Sequence, residues 1–129
     1  MQPYKILVAE DEAPFRRQVG QMLTQHGFEV ISVEDGYQAL DFAVHAKPDL
    51  MLLDVHMPAG DGFSVHDRVQ LHPELATRPV IYMTHDPTQE IEAVAAEHGA
   101  FKLLHKPFEM STLLETINAA LVGRTADAA

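Results

Sequence analysis

The chain has 129 residues, of which 47% are hydrophobic, and these values predict one globular domain with a single core rather than a disordered chain. Its 19 acidic and 9 basic residues give a formal net charge of -10, which disfavours non-specific binding of the domain to nucleic acid, because phosphate backbones attract cationic surfaces. The absence of cysteine excludes disulfides and thiolate metal sites, and no apolar run is long enough to span a membrane.

The first half of the chain alternates between predicted strands and helices. Residues 4–9 form a predicted buried strand that runs into Glu10-Asp11-Glu12. Residues 13–26 follow as a helix, whose apolar face is formed by Phe15, Val19, Met22 and Leu23. Residues 28–33 are predicted as a second strand, and Asp35 is placed to cap a helix that ends near Ala46. The buried positions expected in that helix are Tyr37, Leu40 and Val44.

A short apolar run, residues 50–53, lies at the middle of the chain between Pro48 and Pro58. The run is too short for a helix and is typical of a strand buried on both faces of a parallel sheet. Asp54 ends this strand, where a buried charge without a partner would be costly. Asp also begins many turns, so Asp54 alone does not establish a functional site.

The second half continues the alternation. Helices are predicted over about 63–71, from the Thr88 cap to about His98, and from Glu109 to about Val122, and strands over 80–84 and 101–105. The helix after Thr88 has few large apolar anchors beyond Ile91 and Val94, so we expect it to be the least stable. The apolar face predicted for the last helix consists of Met110, Leu113, Leu114, Ile117 and Leu121. We assign residues 1–123 to the domain and expect 124–129 to be a flexible tail or the start of a linker.

Five strands alternating with five helices predict an α/β fold, a parallel sheet covered on both faces with right-handed crossovers. Ligands of such doubly wound sheets bind outside the carboxyl ends of the strands. Side chains that could bind a ligand follow or end four of these strands, namely Glu10, Asp11, Asp54, Thr84 and Lys106. Three carboxylates, a hydroxyl and an ammonium group should therefore meet at one edge of the sheet.

This combination of groups suits phosphoryl transfer. At an effective dielectric constant of about 20, two carboxylates about 4 Å apart repel each other by roughly 4 kcal/mol, so a proton or a cation must lie between them. Oxygen ligands without thiolates suit a hard ion such as Mg²⁺. A carboxylate beside such an ion can attack phosphorus in line, while Lys106 and Thr84 contact the phosphoryl oxygens.

From Lys5 to about Val122 the chain resembles the receiver domain of a bacterial two-component response regulator. The resemblance rests on Val8-Ala9-Glu10-Asp11-Glu12, Leu52-Leu53-Asp54-Val55-His56-Met57-Pro58 with Asp61-Gly62, Val80-Ile81-Tyr82-Met83-Thr84, and Gly99-Ala100 with Lys106-Pro107-Phe108. Each motif is weak alone, but the four in this order and at this spacing are specific. The resemblance implies a flavodoxin-like (βα)5 fold with strand order 2-1-3-4-5.

The resemblance also implies a set of roles for the site residues. Asp54 would accept a phosphoryl group from a phosphohistidine of a sensor histidine kinase or a phosphotransfer protein. Asp11, Asp54 and the backbone carbonyl of His56 would bind Mg²⁺ (or Mn²⁺), with Glu10 acting mainly through water. Thr84 and Lys106 would contact the phosphoryl group, and the Lys106–Pro107 bond would be cis.

The function implied is a signalling switch that assists only its own phosphorylation and dephosphorylation, not a true enzyme. Phosphorylation would change the face made by the fourth helix, the fifth strand and the fifth helix. That face would serve a downstream protein, an output domain outside this sequence, or a second copy of the chain in a dimer. No binding to nucleic acid or membrane is expected of the domain. Since the sequence begins without a basic and apolar leader, we expect a cytoplasmic protein.

Two positions depart from the family pattern. Leu103 replaces the aromatic residue usual three positions before the lysine, and His85 replaces the small residue usual after the threonine. His85, His56 and Asp86 are predicted to surround the mouth of the pocket, where an imidazolium could pair with Asp86 or with the phosphoryl group. None of the eight histidines forms a metalloprotease-type pair, and those expected to be solvated near helix ends are His26, His45, His72 and His98.

Two other functions remain open. The first is a phosphohydrolase with an aspartyl nucleophile, although such enzymes commonly need an acid two residues after the nucleophile, where this chain has His56. The second is a degenerate receiver that acts as a constitutive protein-binding scaffold, which the loss of the aromatic at Leu103 allows and the intact acidic site disfavours.

Overall fold

The computed structural model describes the backbone of residues 3–128 and the side chains of residues 3–123. Five strands and five helices alternate along the chain: β1 (Lys5–Ala9), α1 (Ala13–Gln25), β2 (Glu29–Val33), α2 (Gly36–Ala46), β3 (Leu50–Asp54), α3 (Gly62–Val69), β4 (Val80–Thr84), α4 (Gln89–Glu97), β5 (Lys102–His105) and α5 (Met110–Ala128). Every predicted element is confirmed. The two predicted caps are present as well, since the side chains of Asp35 and Thr88 accept hydrogen bonds from the first turns of α2 and α4. Pro14 lies in the first turn of α1, where its missing N–H costs little.

All five strands are parallel and lie in the order β2-β1-β3-β4-β5, as predicted. Strand β3 therefore lies between β1 and β4 at the centre of the sheet. Its neighbours in register at the carboxyl end are Ala9, opposite Leu53, and Met83, opposite Asp54. The reversal of strand order between β1 and β3 is the place at which such folds bind ligands.

The sheet separates two apolar cores, and β3 contributes alternate residues to both. Leu50 and Leu52 belong to the core beneath α1 and α5, whereas Met51 and Leu53 belong to the core beneath α2, α3 and α4. All five residues of β3 are buried. The prediction of a central strand buried on both faces is confirmed.

The predicted buried face of α2 is wrong by one residue. The helix buries Gly36, Ala39 and Ala43, while Tyr37 is 74% exposed and both Leu40 and Val44 are half-buried. A shift of one position turns a helix face by about 100°. Small residues on the inner face allow the α2 backbone to approach the sheet closely, and the larger apolar side chains then lie at its margin.

His98 also differs from its prediction. It was expected to be solvated near a helix end, but its side chain is only 18% exposed. Its ring stacks on Phe63 of α3, with 5.2 Å between ring centroids and 22° between ring planes. The packing of α3 beside α4, which the sequence pattern does not reveal, covers this histidine.

Helix α5 continues to Ala128, beyond its predicted end at about Val122. The side chains of residues 124–128 and the whole of Ala129 lie outside the described residues, so the assignment of 124–129 to a flexible tail stays a prediction. Of the helices in the described part of the chain, none has the length and apolar character that crossing a membrane requires.

Candidate functional site

The acidic side chains named from the sequence lie together at the carboxyl edge of the sheet. Glu10 and Asp11 follow β1, and Asp54 ends the neighbouring strand β3. One carboxylate oxygen from each of the three lies within 4.8 Å of the others. Glu10 and Asp54 are buried, whereas Asp11 is exposed to solvent. The strand order explains this cluster, because β1 and β3 are adjacent in the sheet although about forty residues of chain separate them.

Lys106 reaches the same cluster from the end of β5. Its Nζ donates hydrogen bonds to Asp54 Oδ2 at 2.8 Å and to Glu10 Oε1, and Glu12 Oε1 lies 3.9 Å away. The ring of Phe15 lies beneath the ammonium group, with 5.0 Å from Nζ to the ring centroid. A buried charge needs partners of opposite sign, and Lys106 has them in Asp54 and Glu10.

The protonation of this cluster is perturbed in the way that close carboxylates require. Burial and the hydrogen bond with Asp54 raise the pKa of Glu10, the hydrogen bonds from Lys106 and from the Glu12 N–H lower it, and the net result is a pKa of about 7. Burial alone would lower the pKa of Lys106, but its contacts with Asp54 and Glu10 outweigh burial and raise that pKa. The single ammonium group of Lys106 therefore does not neutralise the three carboxylates, and the remaining negative charge favours a further cation.

The donor set fits a hard divalent ion. Glu10, Asp11 and Asp54 offer only carboxylate oxygens, and Mg²⁺ prefers one or two such ligands together with water. The exposed Asp11 leaves one side of the cluster open to solvent, where water ligands can remain.

Thr84 and the Lys106 backbone complete this edge. Thr84 ends β4, is fully buried, and accepts a hydrogen bond at Oγ1 from the backbone N–H of Asp86 at 3.0 Å. The backbone N–H of Lys106 donates to the Thr84 carbonyl at 2.8 Å. The Lys106–Pro107 peptide bond is cis, as the resemblance implied.

Two glycines hold the loop after β3 against the site, and sequence reasoning assigned neither a role. A Cβ on Gly62 would lie 2.5 Å from the backbone oxygen of Asp54, and one on Gly36 would overlap the carbonyl of Gly60. Gly36 also donates its N–H to the Pro58 carbonyl at 3.1 Å. Within the loop, the N–H of His56 donates to Asp54 Oδ1 at 3.1 Å. Only the folded chain reveals these close approaches.

The mouth of the pocket is bridged by a pair that the sequence did not predict. His85 Nε2 lies 2.8 Å from Glu12 Oε1, so the partner of His85 is Glu12 rather than Asp86. Glu12 follows β1 and His85 follows β4, the two strands that flank β3. A contact between these residues therefore spans the opening above Asp54. His56 lies beside the same opening with an exposed side chain.

Comparison with known proteins decides the family. The family model described as "Response regulator receiver domain" matches residues 6–118. The chain belongs to this receiver family. Protein PilH of Pseudomonas aeruginosa is 33% identical over 119 residues, which cover 92% of this chain and 98% of PilH. The transcriptional regulatory protein PdtaR of Mycobacterium tuberculosis is 33% identical over 123 residues, which cover 92% of this chain but only 57% of PdtaR.

Solved receiver structures share the fold. The chemotaxis response regulator CheY4 of Vibrio cholerae superposes with a TM-score of 0.86 at 30% identity, covering 92% of this chain and 98% of CheY4. The receiver domain of a LuxO repressor protein from Vibrio parahaemolyticus has a TM-score of 0.90 at 22% identity, covering 98% and 95% of the two chains. Receiver domains are signalling switches that bind Mg²⁺ through an acidic pocket, and this receiver has such an acidic cluster.

One departure from the receiver pattern has a structural counterpart. Leu103 of β5 is half-buried and packs against the core on the α4 side of the sheet. Its register partner on β4 is Tyr82, which is fully buried. The buried aromatic ring at this level of the sheet is therefore supplied by β4, and its hydroxyl lies 2.5 Å from Nδ1 of the buried His66 on α3.

Proposed function

We propose that this receiver is a phosphorylation-controlled switch whose phosphoacceptor is Asp54. The observation that supports this assignment is the environment of the Asp54 carboxylate at the end of the central strand. Its Oδ2 accepts from Lys106 at 2.8 Å, and carboxylate oxygens of Glu10 and Asp11 lie within 4.8 Å. Glu10 shares these neighbours, but Asp54 is the acid that ends the central strand β3.

Asp11, Asp54 and the backbone carbonyl of His56 would hold Mg²⁺ or Mn²⁺, with Glu10 bound mainly through water. The bound ion would neutralise negative charge on the oxygens of the transferred phosphoryl group. An oxygen of Asp54 attacks the phosphorus of a phosphohistidine, the P–N bond breaks, and the imidazole leaves with its electron pair and takes up a proton. Lys106 then donates to a phosphoryl oxygen in place of its present hydrogen bond to Asp54 Oδ2. The donor is a sensor histidine kinase or a phosphotransfer protein.

Thr84 would connect the phosphoryl group to the output face. Its hydroxyl oxygen now accepts from the N–H of Asp86 at 3.0 Å, and its own hydrogen can be donated to a phosphoryl oxygen, which we expect to draw Thr84 toward Asp54. That movement pulls on residues 85–88, which lead into α4. The face formed by α4, β5 and α5 then changes for a downstream protein, an output domain or a second copy of this chain. Leu103 has no ring to reorient, so this route runs through the β4–α4 loop.

Intact-mass measurement after incubation with Mg²⁺ and a small phosphodonor tests the assignment. Wild-type protein should gain one phosphoryl group, Asp54→Asn should gain none, and the distant exposed variant Asp41→Asn should behave as wild type. We expect Asp54→Asn to unfold near or above the wild-type temperature, since one repelling carboxylate is gone. An adduct that persists in Asp54→Asn would overturn the assignment. Sustained turnover of the donor would indicate a phosphohydrolase, and neither adduct nor turnover would indicate a scaffold.

The bridge between His85 and Glu12 would restrict access to Asp54 from solvent, with His56 and Asp86 at the margins of the opening. Replacing His85 with Ala should speed both phosphorylation by small donors and hydrolysis of the phospho-Asp. Glu12→Ala should produce the same change, because it removes the partner at 2.8 Å. If the pair acts as one unit, the double variant should be no faster than either single variant. Additive rate increases, or wild-type rates in His85→Ala, would contradict this role.

A further inference from the structure

Helix α3 presents a polar and aromatic stripe to the end of α4. Phe63, Asp67 and Gln70 are spaced as i, i+4 and i+7, so they lie on one side of the helix, with Gln70 as the residue that caps its end. All three contact His98, the residue that caps α4. Phe63 stacks on its ring, Asp67 Oδ1 lies 3.0 Å from its Nε2, and the Gln70 side chain donates to its backbone carbonyl at 3.3 Å. None of these residues belongs to the phosphorylation site.

The hydrogen-bond partners of His98 select its charged form. Its Nδ1 lies 2.8 Å from the Val94 carbonyl, and its Nε2 faces the Asp67 carboxylate, so both ring nitrogens point at oxygen acceptors. A neutral imidazole has one N–H and can satisfy only one of them, whereas an imidazolium satisfies both. Loss of the proton from His98 therefore breaks one of its two ring hydrogen bonds.

The neighbouring His66 is held in the opposite state. Its Nε2 lies 3.2 Å from the Gln70 amide nitrogen, which also donates to the His98 carbonyl, so Nε2 must be an acceptor. The N–H of a neutral His66 ring then lies on Nδ1 and donates to the Tyr82 hydroxyl oxygen at 2.5 Å. A second proton on His66 would meet the amide N–H of Gln70 and would disturb the hydrogen bond from Gln70 to the His98 carbonyl.

Helix α4 has few other attachments. Among its described residues, Ala95 is the only one that is buried, and the partly buried Ile91 packs on the same core. The contacts of His98 with α3 therefore provide a large share of what fixes the end of α4. Breaking them should free that end more readily than the end of a helix anchored by several large apolar side chains.

We propose that His98 is a proton-dependent latch that holds the end of α4 on α3, and that phosphorylation of Asp54 and proton loss from His98 favour the same released position of α4. The coupling rests on the proposed function. Thr84 and α4 are joined by only four residues, and α4 is a single helix of nine residues, so a displacement at its start is carried to His98. By linkage, whatever releases the latch lowers the proton affinity of His98, and proton loss favours release equally.

The groups that face His98 come from three elements. Helix α3 contributes Asp67 and the neutral His66, α4 contributes Glu97, and Tyr82 of β4 lies behind His66. Burial would lower the pKa of His98, but its hydrogen bonds to the Val94 carbonyl and to Asp67, with the charges of Asp67 and Glu97, outweigh burial and raise that pKa. The latch is therefore complete below the ordinary histidine pKa of about 6.5 and is lost as the pH rises through the raised value.

The experiment is an NMR titration of the His98 ring, combined with amide exchange of residues 89–98, on the whole chain. In the free protein, Asp67→Asn should lower the His98 pKa and speed exchange in 89–98 at about pH 6 by about two- to fivefold, the size typical of such a pair. Asp41→Asn is the matched control, because Asp41 pairs with His45 at 3.3 Å on α2, far from α4 in the chain. Unchanged exchange and an unchanged His98 pKa in Asp67→Asn would overturn the latch.

The coupling is tested by repeating the titration with Mg²⁺ and beryllofluoride. Binding should lower the His98 pKa in wild type and leave it nearly unchanged in Asp67→Asn. A wild-type pKa that is the same with and without bound beryllofluoride would overturn the coupling. If neither beryllofluoride nor a phosphodonor forms an adduct with wild type, the proposed function fails and the coupling fails with it. The latch itself is still judged on the free protein, so the two failures are distinguishable.

Discussion

Acidification should weaken the protein through one buried side chain, His66. His66 is only 3% exposed. Burial, and to a smaller extent the nearby His98 cation, lower the pKa of His66 from 6.5 to about 4. The folded state therefore binds fewer protons at this ring than the unfolded chain does, so the free energy of unfolding falls as the pH drops through this window. With these two pKa values, the loss between about pH 7 and about pH 5 is about 2 kcal/mol.

Urea unfolding at the two pH values measures this loss. His66→Gln removes the titrating ring. Between about pH 7 and about pH 5, the free energy of unfolding of this variant should therefore fall by about 2 kcal/mol less than the free energy of unfolding of wild type does. The variant should also be less stable at neutral pH, because Tyr82 loses its 2.5 Å partner. His45→Gln, at an exposed position, serves as the control and should follow the wild-type pH profile. Parallel profiles for wild type and His66→Gln would refute the reasoning.

Two further predictions concern the site and the loop that supports it. Millimolar Mg²⁺ should raise the thermal unfolding temperature, because the folded acid cluster binds the ion and the unfolded chain does not. Asp11→Ala should reduce this rise more than Glu10→Ala does. Equal unfolding temperatures with and without Mg²⁺ in wild type would argue against a metal site. Gly36→Ala should destabilise the protein by about 1–3 kcal/mol in urea unfolding, since its Cβ would overlap the Gly60 carbonyl. Gly20→Ala, where the nearest atom to the new Cβ is Ser32 Oγ at 3.4 Å, should be neutral or stabilising, and similar losses in both variants would contradict this account.

Much of the fold follows from features that act within a few residues of one another. Apolar runs bounded by proline and glycine predicted all five strands, and capping residues such as Asp35 and Thr88 predicted where two helices begin. The meeting of Asp11 and Asp54 was predictable because carboxyl ends of parallel strands share one edge of a sheet. These inferences needed no knowledge of how helices pack.

Features that depend on helix packing could not be predicted in this way. Which face of α2 is buried depends on how closely Ala39 and Ala43 let the helix approach the sheet, and the large apolar residues indicated the wrong face. The hydrogen bond between His85 and Glu12 joins residues 73 positions apart, which follow two strands that are not neighbours. The burial of His66 and His98 requires α3 and α4 to be side by side, and no local pattern marks that arrangement.

The division of the interior by the sheet has a consequence for how substitutions combine. Leu52 and Leu53 are neighbours in the chain, yet they point into different cores that share no side chains. A cavity made at Leu52 should therefore be compensated by a larger residue at a position such as Ile81 or Leu113, and not by any change around Leu53. Epistasis among core positions in this chain should follow the two sides of the sheet rather than distance along the sequence, and each side can be redesigned while the other is left as it is.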